Sequence, residues 1–242
     1  MLHLSIIIPA YNEEDRIGST LDETLRYLEN QNFTSELIVV NDGSSDRTSE
    51  LVKSYIERSG SRIRLLENPG NRGKGYSVRA GMLAGQGEIL LFFDADLSTP
   101  LSEIDRVLAP IRDNLYDVVF GSRGLDRSMI GTRQSTVREL IGRAGNIIQF
   151  IFTGLRFKDT QCGFKAFRHE AARTIFPRQQ IDGFGFDPEI LFIAKRQGWR
   201  MLELAVRWNH VEGSKIHPFA TPLRVLLEVM SIRLNELKGR YD

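Results

Sequence analysis

Cysteine is almost absent from this 242-residue chain: Cys162 stands alone. No intrachain disulfide can form, which favours the cytoplasm or the cytoplasmic face of a membrane. Long apolar runs are missing too. The opening MLHLSIIIPAYNEE is interrupted too soon for a signal peptide, and no stretch reaches the ~20 apolar residues of a bilayer-crossing helix. Neither sign of charge dominates: 32 basic against 31 acidic residues leave a formal net charge of +1, which nominates no nucleic-acid partner. The histidines, His3, His169, His210 and His217, lack zinc-site spacing, and neither GxSxG nor HExxH occurs. The glycine-rich GNRGKGYS, residues 70 to 77, fits neither the Walker A spacing nor GxGxxG. Two common nucleotide-binding classes are thereby excluded.

What remains is an alternation. Apolar, β-rich runs recur at 4–9, 36–40, 63–68, 88–94 and 117–122, and helical patterns separate them. Ile17, Leu21, Leu25 and Leu28 form one apolar stripe, and Leu51, Val52, Tyr55 and Ile56 form another. Nearly continuous apolar strands between helices predict a mostly parallel α/β sheet covered on both faces, with ligands bound beyond the carboxyl ends of the strands. The first strand delivers Pro9, Tyr11, Asn12 and Glu13 to that edge, the second NDGSSD and the fourth DAD. Ser45 or Asp46 can cap the helix near Thr48, which leaves Asp42 without a structural task. Thr99 and Pro100 supply a cap and a first helical residue, so neither Asp94 nor Asp96 is needed for capping.

Asp94 and Asp96, at i and i+2 of an extended segment, project to the same side and repel unless something positive lies between them. With no histidine or cysteine ligand nearby, the pair favours Mg²⁺ or Mn²⁺, its shell completed by water and substrate phosphates.

IIIPAYNEE, VVNDGSSDRT, NRGKGYSVRAG, DADLSTP and GSR occur in an order and spacing that resembles the inverting family 2 glycosyltransferases, which have a GT-A fold. Within that family the chain resembles the polyprenyl-phosphate sugar transferases, and DTQCGFKAF with VRWNHVEGSKI is most similar to the dolichyl-phosphate β-glucosyltransferase branch. The resemblance implies that Pro9, Tyr11, Glu13 and Asp42 frame the base and ribose of a nucleotide sugar, with Lys74 and Arg79 near them. It implies further that Asp94 faces the nucleotide and donor sugar, that Asp96 is the principal metal ligand, and that Lys215 serves the donor diphosphate. UDP-glucose is the donor it favours, with GDP-mannose second. The whole chain, 1–242, reads as one transferase domain: residues 1–122 bind the nucleotide sugar and 123–242 the acceptor.

Between Arg123 and Arg173 ten basic residues face four acids, a local excess of six. Arg123 and Arg138 are the candidates for binding the phosphate of a polyprenyl-phosphate acceptor. Val137, Leu140, Ile141, Ala144, Ile148, Ile151 and Phe152 share a helical face, so a helix near 135–153 either packs on the core or lies in a membrane interface. A second stripe, Leu223, Leu226, Leu227, Met230, Leu234 and Leu237 near 221–238, carries the same two readings. Peripheral attachment to the cytoplasmic face of a membrane is the expectation.

A hydroxyl acceptor needs a general base, whereas a phosphate with a second pKa of about 6 is already mostly dianionic at neutral pH. Asp187 is the base candidate, with helix capping ahead of Pro188 as its alternative task. Two competing readings follow: a transferase acting on a glycan hydroxyl, in which Asp187 is an essential base, or a catalytically silent nucleotide- and lipid-binding module.

Overall fold

The computed structural model describes residues 3–59, 62–131, 148–209 and 220–242. Its strands are β1 (Leu4–Ala10), β2 (Ser35–Asn41), β3 (Ile63–Glu67), β4 (Ile89–Phe93), β5 (Val118–Ser122), β6 (Phe164–Arg168) and β7 (Met201–Ala205). The helices are α1 (Ile17–Glu29), α2 (Thr48–Ser59), α3 (Lys74–Ala84), α4 (Ile104–Arg112), α5 (His169–Ile175), α6 (Phe186–Arg196) and α7 (Ala220–Leu237). Residues 148–153 are helical as well. All five expected strands are present, and β6 and β7 join them.

The strands form one sheet in the order β3-β2-β1-β4-β6-β5-β7. β1 pairs in parallel with both β2 and β4, whereas β6 runs antiparallel between β4 and β5. The chain moves outward from β1 to β3 and then returns to start β4 on the other side of β1. That reversal opens a crevice beyond the carboxyl ends of β1 and β4, where ligands of such sheets bind. The late strand β6 therefore lies directly beside the DAD strand, although 70 residues of sequence intervene between Phe93 and Phe164.

Alternation within the strands builds two cores. Ile6, Ile8, Leu37, Val39, Leu91 and Phe93 face one side, where Ile17, Leu21 and Leu28 of α1 pack. Ile7, Ile38, Val40, Leu90 and Phe92 face the other, against Val78 and Met82 of α3 and Phe186 and Ile190 of α6. Each fully buried aliphatic side chain contributes roughly 1.5–3 kcal/mol.

One local expectation fails. Pro100 precedes a 3₁₀ turn, Leu101–Glu103, whose start has no side-chain cap, so the Thr99 cap does not form. The stripe expected along α7 is not the face that packs on the core. Val229, Ile232 and Asn235 are buried, whereas Leu227, Met230, Leu234 and Leu237 are exposed. The helix has apolar residues on both faces, and contact with α6 selects one of them. Among the described residues, no helix is long and apolar enough to cross a membrane.

Candidate active site

The loops after β1 and β2 are stitched together. The Asn12 amide donates to Ser44 Oγ at 2.8 Å, the Ser45 amide to Asn12 Oδ1 at 2.7 Å, and the Glu13 amide to Thr48 Oγ1 at 2.8 Å. Asp46, as the capping argument requires, accepts the Thr48 amide at 3.0 Å. Pro9 lies in β1, Tyr11 is exposed just beyond it, and the Glu13 carboxylate accepts Arg16 Nε at 2.8 Å.

Asp42 has the structural task that the sequence reading denied it. Its carboxylate accepts Asn68 Nδ2 at 2.8 Å and the amides of Arg72 and Gly73 at 2.9 and 2.8 Å, and the residue is 4% exposed. These donors lie 26 to 31 residues away in sequence, so no local pattern announces them. The loops meet closely: Gly43 has φ +68°, and a Cβ there would fall 2.4 Å from the Gly70 carbonyl carbon. Only glycine fits that approach.

The acidic tip of β4 is different. Lys74, the first residue of α3, places its Nζ 2.5 Å from Asp94 Oδ1 and supplies the positive charge that the aspartate pair calls for. Burial would lower the Lys74 ammonium pKa, but Asp94, Asp187 and Asp96 together raise it, so the charge is held firmly. Lys74 is thus an Asp94 partner and not a member of the Asp42 loop cluster. Leu97 adopts a left-handed φ of 49°, at a cost of roughly 1 kcal/mol, and the Ser98 amide turns back onto Asp96 Oδ1 at 2.9 Å. Asp96 is therefore partly engaged locally, although it caps no helix. From α1, the Thr20 hydroxyl donates to the Ala95 carbonyl at 2.5 Å and pins the loop from behind.

On the far side of Asp94 lies Gly163, two residues ahead of Lys165 in β6. A Cβ at Gly163 would sit 2.2 Å from Asp94 Oδ2, so the site exists in this form only with glycine there. Phe93, Asp94, Ser98, Thr99, Gly163 and Trp208 line a small cleft.

Asp187 is the second residue of α6 and is buried. It caps nothing; its carboxylate is paired with the Lys165 ammonium. Burial pushes the Asp187 carboxyl above its usual range, and Lys165 and Lys74 offset only part of that. Lys165 is fully buried, donates to the Cys162 carbonyl at 2.5 Å and stands 5.4 Å from the Phe92 ring centroid. Sequence reasoning missed Lys165 and Gly163. The available signal was a lysine inside the apolar run FKAF.

Three other candidates fall differently. Arg79 donates to the Gln179 carbonyl at 2.9 Å and pairs with Asp182 at 2.8 Å, so it braces the loop before α6 and does not join the Asp42 cluster. Arg123 grips Asp159 with two guanidinium nitrogens, at 2.6 and 2.9 Å, and lies 5.5 Å from the Trp208 ring centroid. Its charge is already balanced by a buried carboxylate, which weakens its case as a free phosphate receptor. Burial would raise the Asp159 carboxyl, but Arg123 outweighs it and holds it below the usual range. Arg138 and Lys215, and most of the helix expected near 135–153, lie outside the described residues.

The donor set at the β4 tip suits a hard cation. Both carboxylates are partly exposed, and Asp94 packs directly against the Gly163 backbone. Among the described residues no group of three or more acidic, histidine or cysteine side chains forms a closed cage. One or two carboxylates, with the shell finished by water and phosphate oxygens, is the arrangement Mg²⁺ and Mn²⁺ accept.

Comparison with known proteins agrees with this geometry. The model of glycosyl transferase family 2 matches residues 5–176. A dolichyl-phosphate beta-glucosyltransferase of Trichomonas vaginalis is 40% identical over 224 residues, covering 89% of this chain and 68% of its own. The dolichyl-phosphate beta-glucosyltransferases of Dictyostelium discoideum and Homo sapiens are 38% and 36% identical, each covering 98% of this chain and 76% and 77% of their own. Among solved structures, glucosyl-3-phosphoglycerate synthase from Mycobacterium tuberculosis with phosphoglyceric acid superposes with a TM-score of 0.71 at 21% identity, covering 96% of this chain and 80% of that one. The same enzyme with Mn²⁺, UDP-glucose and phosphoglyceric acid gives 0.66 at 20% identity, with the same shares covered. At that identity the likeness establishes the GT-A fold.

Proposed function

Since this chain belongs to glycosyl transferase family 2, we propose that it transfers glucose from UDP-glucose to the phosphate of a dolichyl-type polyprenyl phosphate, with inversion at the anomeric carbon. The observation that carries this reading is the 36–40% identity to dolichyl-phosphate beta-glucosyltransferases over 89–98% of the chain. Asp96, with Asp94, would hold Mg²⁺ or Mn²⁺, which stabilises negative charge developing on the leaving diphosphate.

The chain's own residues supply the rest. Pro9, Tyr11, Glu13 and Asp42 line the edge on which the base and ribose rest, and the carboxylate-bound loop of Arg72 and Gly73 shapes its floor. Lys74 holds the Asp94 carboxylate in an ion pair and orients it toward the donor. A dianionic acceptor phosphate has no proton to lose, so attack on the anomeric carbon requires alignment rather than a base. The Asp187 pairing with buried Lys165 supports this reading, because it gives the carboxylate a partner within the protein and not an acceptor hydroxyl.

The acceptor is a lipid, and the reading includes peripheral attachment at a cytoplasmic membrane face. The exposed Leu227, Met230, Leu234 and Leu237, flanked by Arg224, Arg233 and Lys238, support α7 as the face that meets the lipid.

The test is direct. Purified protein is incubated with Mn²⁺, a short prenyl phosphate and either UDP-glucose or GDP-mannose, and the lipid is weighed by mass spectrometry. A hexosyl prenyl phosphate formed from UDP-glucose is expected. Product from GDP-mannose alone, or none from either donor, overturns the proposal.

A further inference from the structure

Lys165 is a buried cation to which glycosyl transfer, as derived above, assigns no contact with substrate. A buried ion pair is weak support for stability, since well-packed apolar residues of similar volume often serve as well or better. Its position is informative. Lys165 sits opposite Phe92 in the β4–β6 ladder, and its ammonium joins two segments that flank Asp94. One is the Cys162 carbonyl, which leads directly into Gly163 against the Asp94 carboxylate. The other is Asp187, at the head of α6. The loop before α6 in turn packs on the backbone that starts α3: a Cβ at Gly73 would lie 2.4 Å from the Asp182 carbonyl oxygen, and one at Gly75 2.6 Å from that of Ile181. Lys74, the other neighbour of Asp94, stands between those glycines.

We propose that Lys165 is a positioning residue for glucosyl transfer: its ammonium ties Asp187 to the Cys162 carbonyl and so fixes, from both sides, the Gly163 backbone and the Lys74 segment that hold Asp94 in place. This rests on the glucosyl-transfer reading. It accounts for an ion pair buried under the cleft where a hydrophobic pair would fill the same space. It also gives Asp187 a task other than proton transfer. The two residues act as one unit, so their removal should not be additive.

The experiment compares wild type, Lys165→Met, Asp187→Leu and Lys165→Met/Asp187→Leu, measuring thermal unfolding and the kcat and KM for UDP-glucose with prenyl phosphate and Mn²⁺. Misplacing the Asp94 shell predicts kcat down by about 100-fold in each variant, with KM within about threefold of wild type. The double variant is expected to be no slower than the slower single variant and to melt no lower than wild type. A purely structural pair would move the melting temperature and leave kcat in place. A folded Lys165→Met with wild-type kcat overturns the inference. Should that variant fail to fold, because it strands a buried carboxylate, the double variant decides: wild-type kcat in it, or its own failure to fold, overturns the inference equally. Wild type assayed alongside separates the two readings, because an inert wild type overturns the proposed function and this role with it.

Discussion

Asp42 and Asp94 occupy the same kind of position, the first residue beyond a parallel strand, and they do opposite things with their charge. Asp42 is 4% exposed and gives its carboxylate to two backbone amides and an asparagine. The Asp94 side chain is 37% exposed and balanced by one ammonium, that of Lys74. A carboxylate satisfied by backbone donors is committed, because each unpaired amide would cost about 1–3 kcal/mol. One balanced by a side-chain cation can exchange partners at small cost. The first ties the loops after β2 and β3 together, and the second presents a partly exposed carboxylate to the cleft.

That contrast can be broken in order of expected size. Asp96→Asn should lower glucosyl transfer by about 10³-fold, roughly 4 kcal/mol of transition-state stabilisation, with an unchanged melting temperature. Steady-state turnover beside a thermal scan checks it, and a large loss of stability would place Asp96 with Asp42. The converse is Asp42→Ala, which should cost about 3 kcal/mol in urea unfolding because three donors lose their acceptor. A variant as stable as wild type would remove the distinction. Gly163→Ala sharpens it further: a Cβ 2.2 Å from Asp94 Oδ2 must displace that carboxylate, and turnover should fall by about 10²-fold while the fold persists.

Smaller effects belong to the Arg123–Asp159 pair. Asp159 is held below its ordinary value of 3.8, so it binds fewer protons in the folded chain than in the unfolded one. Its contribution is present above pH 3.8 and is lost as pH falls through the lower folded value. Urea midpoints between pH 5 and 3 should drop more steeply in wild type than in Asp159→Asn. Smallest in stability is Leu234→Glu on the exposed face of α7, expected within about 0.5 kcal/mol of wild type. It should still weaken flotation with anionic vesicles containing prenyl phosphate, and undiminished flotation would remove α7 from the membrane reading.

Much of the fold was legible. Five apolar runs marked five strands because a parallel strand buried on both faces must be apolar throughout. β6 and β7 escaped: FKAFR carries two cations, one of them a buried ion-pair member, and MLELA has no length or flanking signal to set it apart from a helix. Within the site, the acidic pair was legible because two carboxylates two residues apart in an extended tip are a local arrangement. The Lys74 partnership, the burial of Asp42, the commitment of Arg123 to Asp159 and the pairing of Asp187 with Lys165 were not. Each joins residues 20 to 36 positions apart.

The sequence by itself determined the α/β class, the family and the places where polar residues leave the strands, since these depend on periodicity and composition along short stretches. Only the tertiary structure decided which charges meet. Pairing energy depends on distance and burial after packing, and the insertion of β6 beside β4 is what brings Gly163 and Lys165 under the acidic tip.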